Sequence, residues 1–329
     1  MASIYRCCKI FNFDGWLDNV PVEFDYERQE SESTPCWQEA IVHRTRDRIY
    51  TRYHAIIGGE EQWSDYCNIY YFDNPPNQSV PLSRVGLPED VPTEWEDVHP
   101  CTNYKGLEAY YKAYEYMDDA GVIGLSIGLP GLSIKHPESI YEYYDNREQV
   151  IARCKRDHNL ILHRVREMIK LKPDFILIGV SGHMLSNPEP IFRELSLPAL
   201  KDVTSICKEA GIPSQIHCCG PEYALVKIAS EETDLSSINP LETPPMGDCN
   251  LAVLKKEFGK KISLMGNLHT TDIMLRGSLK DIERAVKQAI DDAAEGGGFI
   301  LSTGDQCGRD TPDENIFAMI ESAKMYGKY

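Results

Sequence analysis

The spacing of apolar residues along this chain changes once, and the change divides it. From about residue 104 onward, short unbroken apolar runs alternate with longer stretches in which apolar residues return every three or four positions. The runs read as buried strands and the longer spacing as amphipathic helices. The pattern predicts a helix over 104–120, a strand from Val122 to Leu129 and a helix beginning near Pro137. A long helix follows from Arg147 to Leu171, carrying Val150, Ile151, Leu160, Leu162, Val165 and Ile169. Next come a strand from Phe175 to Val180, a helix across much of 190–210, a strand ending at Ile216–His217 and a helix over 222–230. Residues 235–239, 261–266 and 298–304 read as three more strands, with helices at 251–258 and 278–295 between them. Ser278 suits an N-cap, and Thr311-Pro312-Asp313-Glu314 reads as a capping box opening the last helix.

Strand then helix, repeated, means parallel strands joined by crossover helices. About seven such strands after residue 100, with room for one earlier, predict an α/β fold of the (β/α)8 TIM-barrel type. No Gly-x-Gly-x-x-Gly fingerprint or P-loop favours an open nucleotide-binding sheet. The first hundred residues lack this order. Two acidic, aromatic stretches flank an expected helix from Trp37 to Ile57, carrying Ile41, Arg44, Ile49 and Tyr53, and the prolines of 74–101 read as a long connector. Residues 1–100 are therefore expected to form an irregular N-terminal extension covering the barrel, and 101–329 the main part of the catalytic barrel.

Composition narrows the function classes. The chain has 329 residues and a formal net charge of −17, which repels phosphate backbones and disfavours nucleic acid as a partner. No apolar run approaches the ~20 residues needed to cross a bilayer, so no membrane association is expected. Eleven cysteines without a secretory signal suggest a reducing cytoplasm. Most of them are expected to be buried thiols. A homodimer is left open.

In a barrel, chemistry sits where strands end. The strand at 175–180 leads into Ser181-Gly182-His183, and the next into Gln215-Ile216-His217-Cys218-Cys219-Gly220. Later ends hold Asn239-Pro240-Leu241-Glu242, Gly266-Asn267-Leu268-His269 and Gly304-Asp305-Gln306-Cys307-Gly308. Residues i and i+2 of a strand share a face, so His217 and Cys219 converge while Cys218 points away as a packing or supporting thiol. The simplest ligand set is His217, Cys219 and Cys307, with Glu242 a candidate fourth. Three protein ligands would leave zinc an open position. The alternative is a set of buried thiols beside a hydrogen-bonded histidine. His183 is a candidate proton donor or ring contact, and equally a structural histidine. Asn267 either orients substrate or closes a turn, and His269 stands in the same position. Asp305 and Gln306 are candidate orienting neighbours. Glu314 and Asn315 are better explained by helix capping.

These motifs resemble the uroporphyrinogen decarboxylase-like superfamily, in particular its corrinoid-linked methyltransferase branch. The resemblance rests on His217-Cys218-Cys219-Gly220, Asn239-Pro240-Leu241-Glu242, Leu264-Met265-Gly266-Asn267 and the closing run from Gly298 to Asn315. It covers residues from about 105 to the C-terminus and is poor before that. It implies a (β/α)8 barrel holding Zn2+ through His217, Cys219 and Cys307, with Glu242 where some members offer a displaceable carboxylate. Other members use a site based on glutamate and histidine, which would raise the standing of Glu242 and His269. The Arg-rich N-terminal motif of true uroporphyrinogen decarboxylases does not occur, so decarboxylation of a tetrapyrrole is disfavoured.

Two activities fit the resemblance. In one, zinc lowers the pKa of a small thiol that takes a methyl group from a methyl-corrinoid. In the other, zinc polarises the ether oxygen of a methoxylated aromatic while a reduced corrinoid takes the methyl. No Asp-x-His-x-x-Gly corrinoid motif occurs, so the corrinoid is expected on a separate small partner protein. Trp16, Trp37, Trp63, Tyr66, Tyr70, Tyr71 and Phe72 could wall a pocket for an aromatic ring or simply pack the extension. The methoxylated aromatic is slightly favoured as donor. A non-catalytic zinc-binding barrel is the remaining alternative.

Overall fold

Strand–helix alternation in the second part of the chain builds one parallel sheet. A computed structural model describes residues 15–17, 20–24, 26, 37–72, 78–86, 92–98, 106–133, 138–308 and 310–328. The strands, in chain order, are β1 (Gly15–Leu17), β2 (Gln38–Arg44), β3 (Arg48–Ile57), β4 (Glu60–Tyr71), β5 (Gln78–Pro81) and β6 (Glu96–Asp97). They continue with β7 (Gly121–Ile127), β8 (Phe175–Gly179), β9 (Ser214–His217), β10 (Ser237–Asn239), β11 (Ser263–Leu268) and β12 (Phe299–Thr303). The chain divides into two units, residues 1–21 with 110–329 and residues 22–109.

In the first unit seven strands pair in parallel in the order β1-β7-β8-β9-β10-β11-β12. The order never reverses. A doubly wound sheet would have a switch point where it does, so the winding is that of a barrel wall. Among the described residues the ladder stops at seven strands, and no pairing joins β12 to β1. The first strand comes from residues 15–17, inside the stretch expected to lie outside the barrel.

The helices follow the apolar spacing closely. Helix Leu279–Ala293 buries Ile282, Val286, Ala289, Ile290 and Ala293, a single face three to four residues apart. Ser278 and Asp281 form a reciprocal capping box at its start. Its buried face joins Leu268 and Met274 in one cluster, where each large side chain contributes about 1.5–3 kcal/mol. The expected helix over 190–210 is two, Glu189–Leu195 and Leu197–Glu209. Pro198 explains the break: it lacks an N–H and fits only a first turn. At the last helix, Asp313–Tyr326, the predicted threonine cap is corrected: Pro312 takes the cap position with no side-chain bond. Asn315 is not a cap either. Its amide donates to Met274 O at 2.8 Å and Gly277 O at 3.1 Å, tying the helix to the turn after β11.

The second unit corrects the expectation of an irregular extension. It holds a five-stranded antiparallel sheet, β5-β4-β3-β2-β6. The helix expected over 37–57 is the β2–β3 hairpin, turned at Thr45–Asp47, where Thr45 Oγ1 donates to Asp47 Oδ1 at 2.7 Å. Ile49, Tyr50, Thr51, Tyr53, Ile56 and Ile57 are β-branched or aromatic and fit a pleated surface better than a helix. Cys67, Ile69 and Leu82 form a core in this unit. Trp63 stacks on His54 with ring centroids 4.6 Å apart, so it packs the sheet; Trp37, Tyr66 and Phe72 are exposed. The side chain of Trp16 lies outside the described residues. No helix among the described residues is long and apolar enough to cross a membrane.

Gly124 of β7 lies where the Phe175 ring of β8 packs; a Cβ there would meet Phe175 Cζ at 2.4 Å. Gly124→Val is expected to lower stability by about 1–3 kcal/mol through overpacking. Urea unfolding checks this: the midpoint should fall with an unchanged slope, and an unmoved midpoint would mean the ring has room.

Candidate metal centre

Parallel pairing brings the strand ends to one rim. Gly179 of β8, His217 of β9 and Asn239 of β10 lie in register across three adjacent strands. Side chains alternate along a strand, so His217 and Cys219 emerge on one face. The structure bears this out, with His217 Nε2 3.2 Å from Cys219 Sγ. Cys218, on the other face, is fully buried.

The third member of the group comes from the far end of the sheet. Asp305, just beyond β12, places Oδ2 3.3 Å from Cys219 Sγ and Oδ1 3.9 Å from His217 Nε2. One donor atom from each residue lies within 4.8 Å of the other two. Asp305 has a positive φ of 155°, a backbone state that non-glycine residues rarely hold outside constrained sites. Ser181, after β8, has its Oγ 3.5 Å from the same sulfur.

Electrostatics at this point favour a cation. Burial pushes the Cys219 thiol up to about 12; the Ser181 hydroxyl pulls it down, and the Asp305 and Glu242 carboxyls raise it further. An imidazole, a thiol and a carboxylate converging in this way are the donor types of a zinc site. A divalent ion would offset both the burial and the carboxyl charges that push this thiol up.

Glu242 stands behind the group. It is buried, and its Oε2 accepts the Gly220 N–H at 2.6 Å. Gly220 holds φ +101°, which lets that amide face the carboxyl. Glu222, absent from the sequence-level candidates, is fully buried beside it. Its Oε2 accepts the Leu241 N–H at 2.5 Å, and among the described residues its Oε1 has no hydrogen-bond partner. Burial first, then the nearby Glu242 and Asp248 charges, hold the Glu222 carboxyl well above the usual carboxylate range. Burial alone outweighs the backbone amides that would keep it ionised.

The other sequence candidates take different places. Cys307 lies two residues beyond Asp305 but is not in the group; it packs against the cluster of Leu268 and Met274. Burial pushes its thiol up, while the Thr303 and Thr311 hydroxyls beside it act the other way. Asn267 Nδ2 donates to Leu241 O at 2.9 Å, so it orders the loop after β10. His269 Nδ1 accepts the Thr271 and Asp272 amides at 3.2 and 3.0 Å, capping the turn Thr270–Leu275.

His183 lies 2.8 Å through Nε2 from Ser196 Oγ. Ser196 gives its own proton to Pro130 O at 2.7 Å, so the ring donates and the hydroxyl accepts. Gly131 fits against the ring, where a Cβ would sit 2.6 Å from Cε1. His183 thereby fixes a wall of a cavity of about 460 Å³ lined also by Gly128, Leu132, Ser133, Val180 and Ser181. Through Ser181 this cavity reaches Cys219. Sequence alone could not find it, because its lining comes from two separate stretches, 128–133 and 179–186, that only the fold brings together.

The family profile described as Uroporphyrinogen decarboxylase (URO-D) matches residues 133–326. Among solved structures, a methyltransferase from Methanosarcina mazei superposes with a TM-score of 0.55 at 16% identity, covering 68% of this chain and 64% of that one. The match thus spans just under two thirds of that protein, and the likeness is one of fold. The putative vitamin-B12 independent methionine synthase from Listeria monocytogenes gives a TM-score of 0.45 at 12% identity, covering 65% of this chain and 67% of that one. No curated protein matches the chain in sequence.

Burial pushes His183 down to about 4 from its ordinary 6.5. Between those values the unfolded chain holds the proton and the folded chain does not, so stability is complete above pH 6.5 and falls as the pH drops toward 4. The loss from this group is up to roughly 3 kcal/mol. His183→Gln should flatten the dependence of unfolding free energy on pH across that window. A variant with the parent's slope would show that the ring charges freely in the fold.

Proposed function

The chain belongs to the uroporphyrinogen decarboxylase family, and from that premise we propose that it is a zinc-dependent methyltransferase working with a corrinoid protein. The observation that carries the reading is the meeting of His217, Cys219 and Asp305 within 4.8 Å, beside a cavity reached through Ser181. His217 and Cys219 would hold the ion. The loop after β12 offers two further donors. Asp305 has its carboxylate at the pair. Cys307, the ligand implied by the sequence resemblance, sits two residues along the same loop and would add the softer thiolate that zinc also accepts. Glu242 is close enough to Cys219 to bear on its charge and would serve as a further carboxylate.

When bound, the ion would supply Lewis acidity, polarising an ether oxygen or lowering the pKa of a substrate thiol. The chain's own groups do the rest. Ser181 hydrogen-bonds the Cys219 sulfur, and His183 keeps the adjacent cavity wall in place. The cavity takes a small molecule, with the methyl group near the rim where a separate corrinoid protein can reach it. A methoxylated aromatic is slightly favoured as donor, and the net charge of −17 disfavours polyanionic substrates. A methyl-corrinoid:thiol methyltransferase is the alternative. Decarboxylation of a polycarboxylated tetrapyrrole fits this charge least.

Two measurements test the reading. Elemental analysis should find one zinc per chain, lost in His217→Ala and in Cys219→Ser; comparison of Asp305→Ala with Cys307→Ser then names the third donor. With a reduced corrinoid protein, the parent should form methyl-cobalt from a methoxyarene, read by the corrinoid absorbance. Consumption of methyl-cobalt by a thiol would favour the alternative. Zinc without turnover in either direction would leave a binding barrel.

A further inference from the structure

The loop joining the end of β10 to helix Leu251–Phe258 is fastened at a single strained residue. Leu241 adopts φ +60°, a conformation that a branched L side chain rarely holds. Its N–H is held by Glu222 Oε2 at 2.5 Å and its carbonyl by Asn267 Nδ2 at 2.9 Å. These two side chains come from different elements, the start of helix Tyr223–Glu232 and the end of β11. Both are at least nine-tenths buried, and Leu241 itself is fully buried. A second tie runs between the same two loops: Asp248 Oδ1 accepts the Glu222 and Tyr223 amides at 2.8 and 3.0 Å. The next residue, Glu242, then reaches the Gly220 amide, one position beyond Cys219.

We propose that Glu222 is a positioning residue: with Asn267 it clamps Leu241 in its left-handed conformation, and so seats the Glu242 carboxyl against Gly220 behind the His217–Cys219 pair. A strained backbone persists only where its surroundings over-determine it, and here two opposed hydrogen bonds do so. Among the described residues Glu222 Oε1 has no other side-chain partner, which supports this assignment. A buried carboxyl is costly to keep, and this one is directed at backbone amides of the loop after β10, those of Leu241 and Glu242. Freed from the clamp, Leu241 would relax and the Glu242 carboxyl would swing off its donor. The clamp rests on the geometry alone; its consequence for metal rests on the function proposed above.

The test uses the full-length chain. Hydrogen exchange at the Gly220 amide, resolved by mass spectrometry of the peptide spanning 218–222, reads the seating of Glu242 without any metal. Glu222→Ala should speed that exchange by about tenfold or more, the effect of losing one hydrogen bond's protection. Glu222→Gln, which keeps an acceptor oxygen, should restore it. Zinc affinity, read by competition with a chromophoric chelator, should weaken about tenfold in Glu222→Ala, as loss of a supporting group does. If Glu222→Ala does not fold, Asn267→Ala releases the clamp from its other side and should move both readouts the same way. Parent-like Gly220 protection in the released variants would overturn the clamp. Faster exchange with unchanged zinc affinity would overturn its role at the centre. A parent chain that bound no zinc would sink the metal reading, while the exchange data would still decide the clamp.

Discussion

The parallel register is the constraint on which the site depends. Seven strands in unreversed order put every strand end of the first unit on one rim. The level of His217 is fixed by its neighbours Gly179 and Asn239, and Cys219 follows on the same face because strand side chains alternate. Asp305 arrives from the other end of the ladder, 86 residues later. A slip of one residue in β9 would turn the imidazole and the thiol to the helix side and present Cys218 instead. The fully buried Ile216 and Cys218 on that opposite face make such a slip costly.

That register gathers groups that would otherwise repel. Cys219, Asp305 and Glu242 are all anionic or potentially so, in a chain that is already acidic. Burial and the two carboxyls push the Cys219 thiol up, so a bound cation would offset charge that the fold alone does not.

Much of this was legible in the sequence. Long amphipathic helices and apolar strands follow from local spacing, and His-x-Cys at a strand end is itself local. What depends on tertiary detail was not legible. Trp37 to Ile57 has enough apolar residues for either a helix or a hairpin, and its β-branched and aromatic content decided for strands. His183, Asn267 and His269 are polar residues at strand ends, as expected, yet their hydrogen bonds go to Ser196, Leu241 and a capped turn. Whether Asp305 or Cys307 faces the pair depends on the path of one loop, which no spacing rule fixes. Glu222 gave no signal at all, because a glutamate at a helix start normally faces water.

His217 and Cys219 together are proposed to grip a divalent ion. X-ray absorption at the zinc edge of the loaded protein tests it most directly. A mixed shell is expected, with at least one sulfur at about 2.3 Å and one imidazole nitrogen at about 2.0–2.1 Å, as such bonds require. A shell of oxygen and nitrogen alone, with no sulfur scattering, would contradict it.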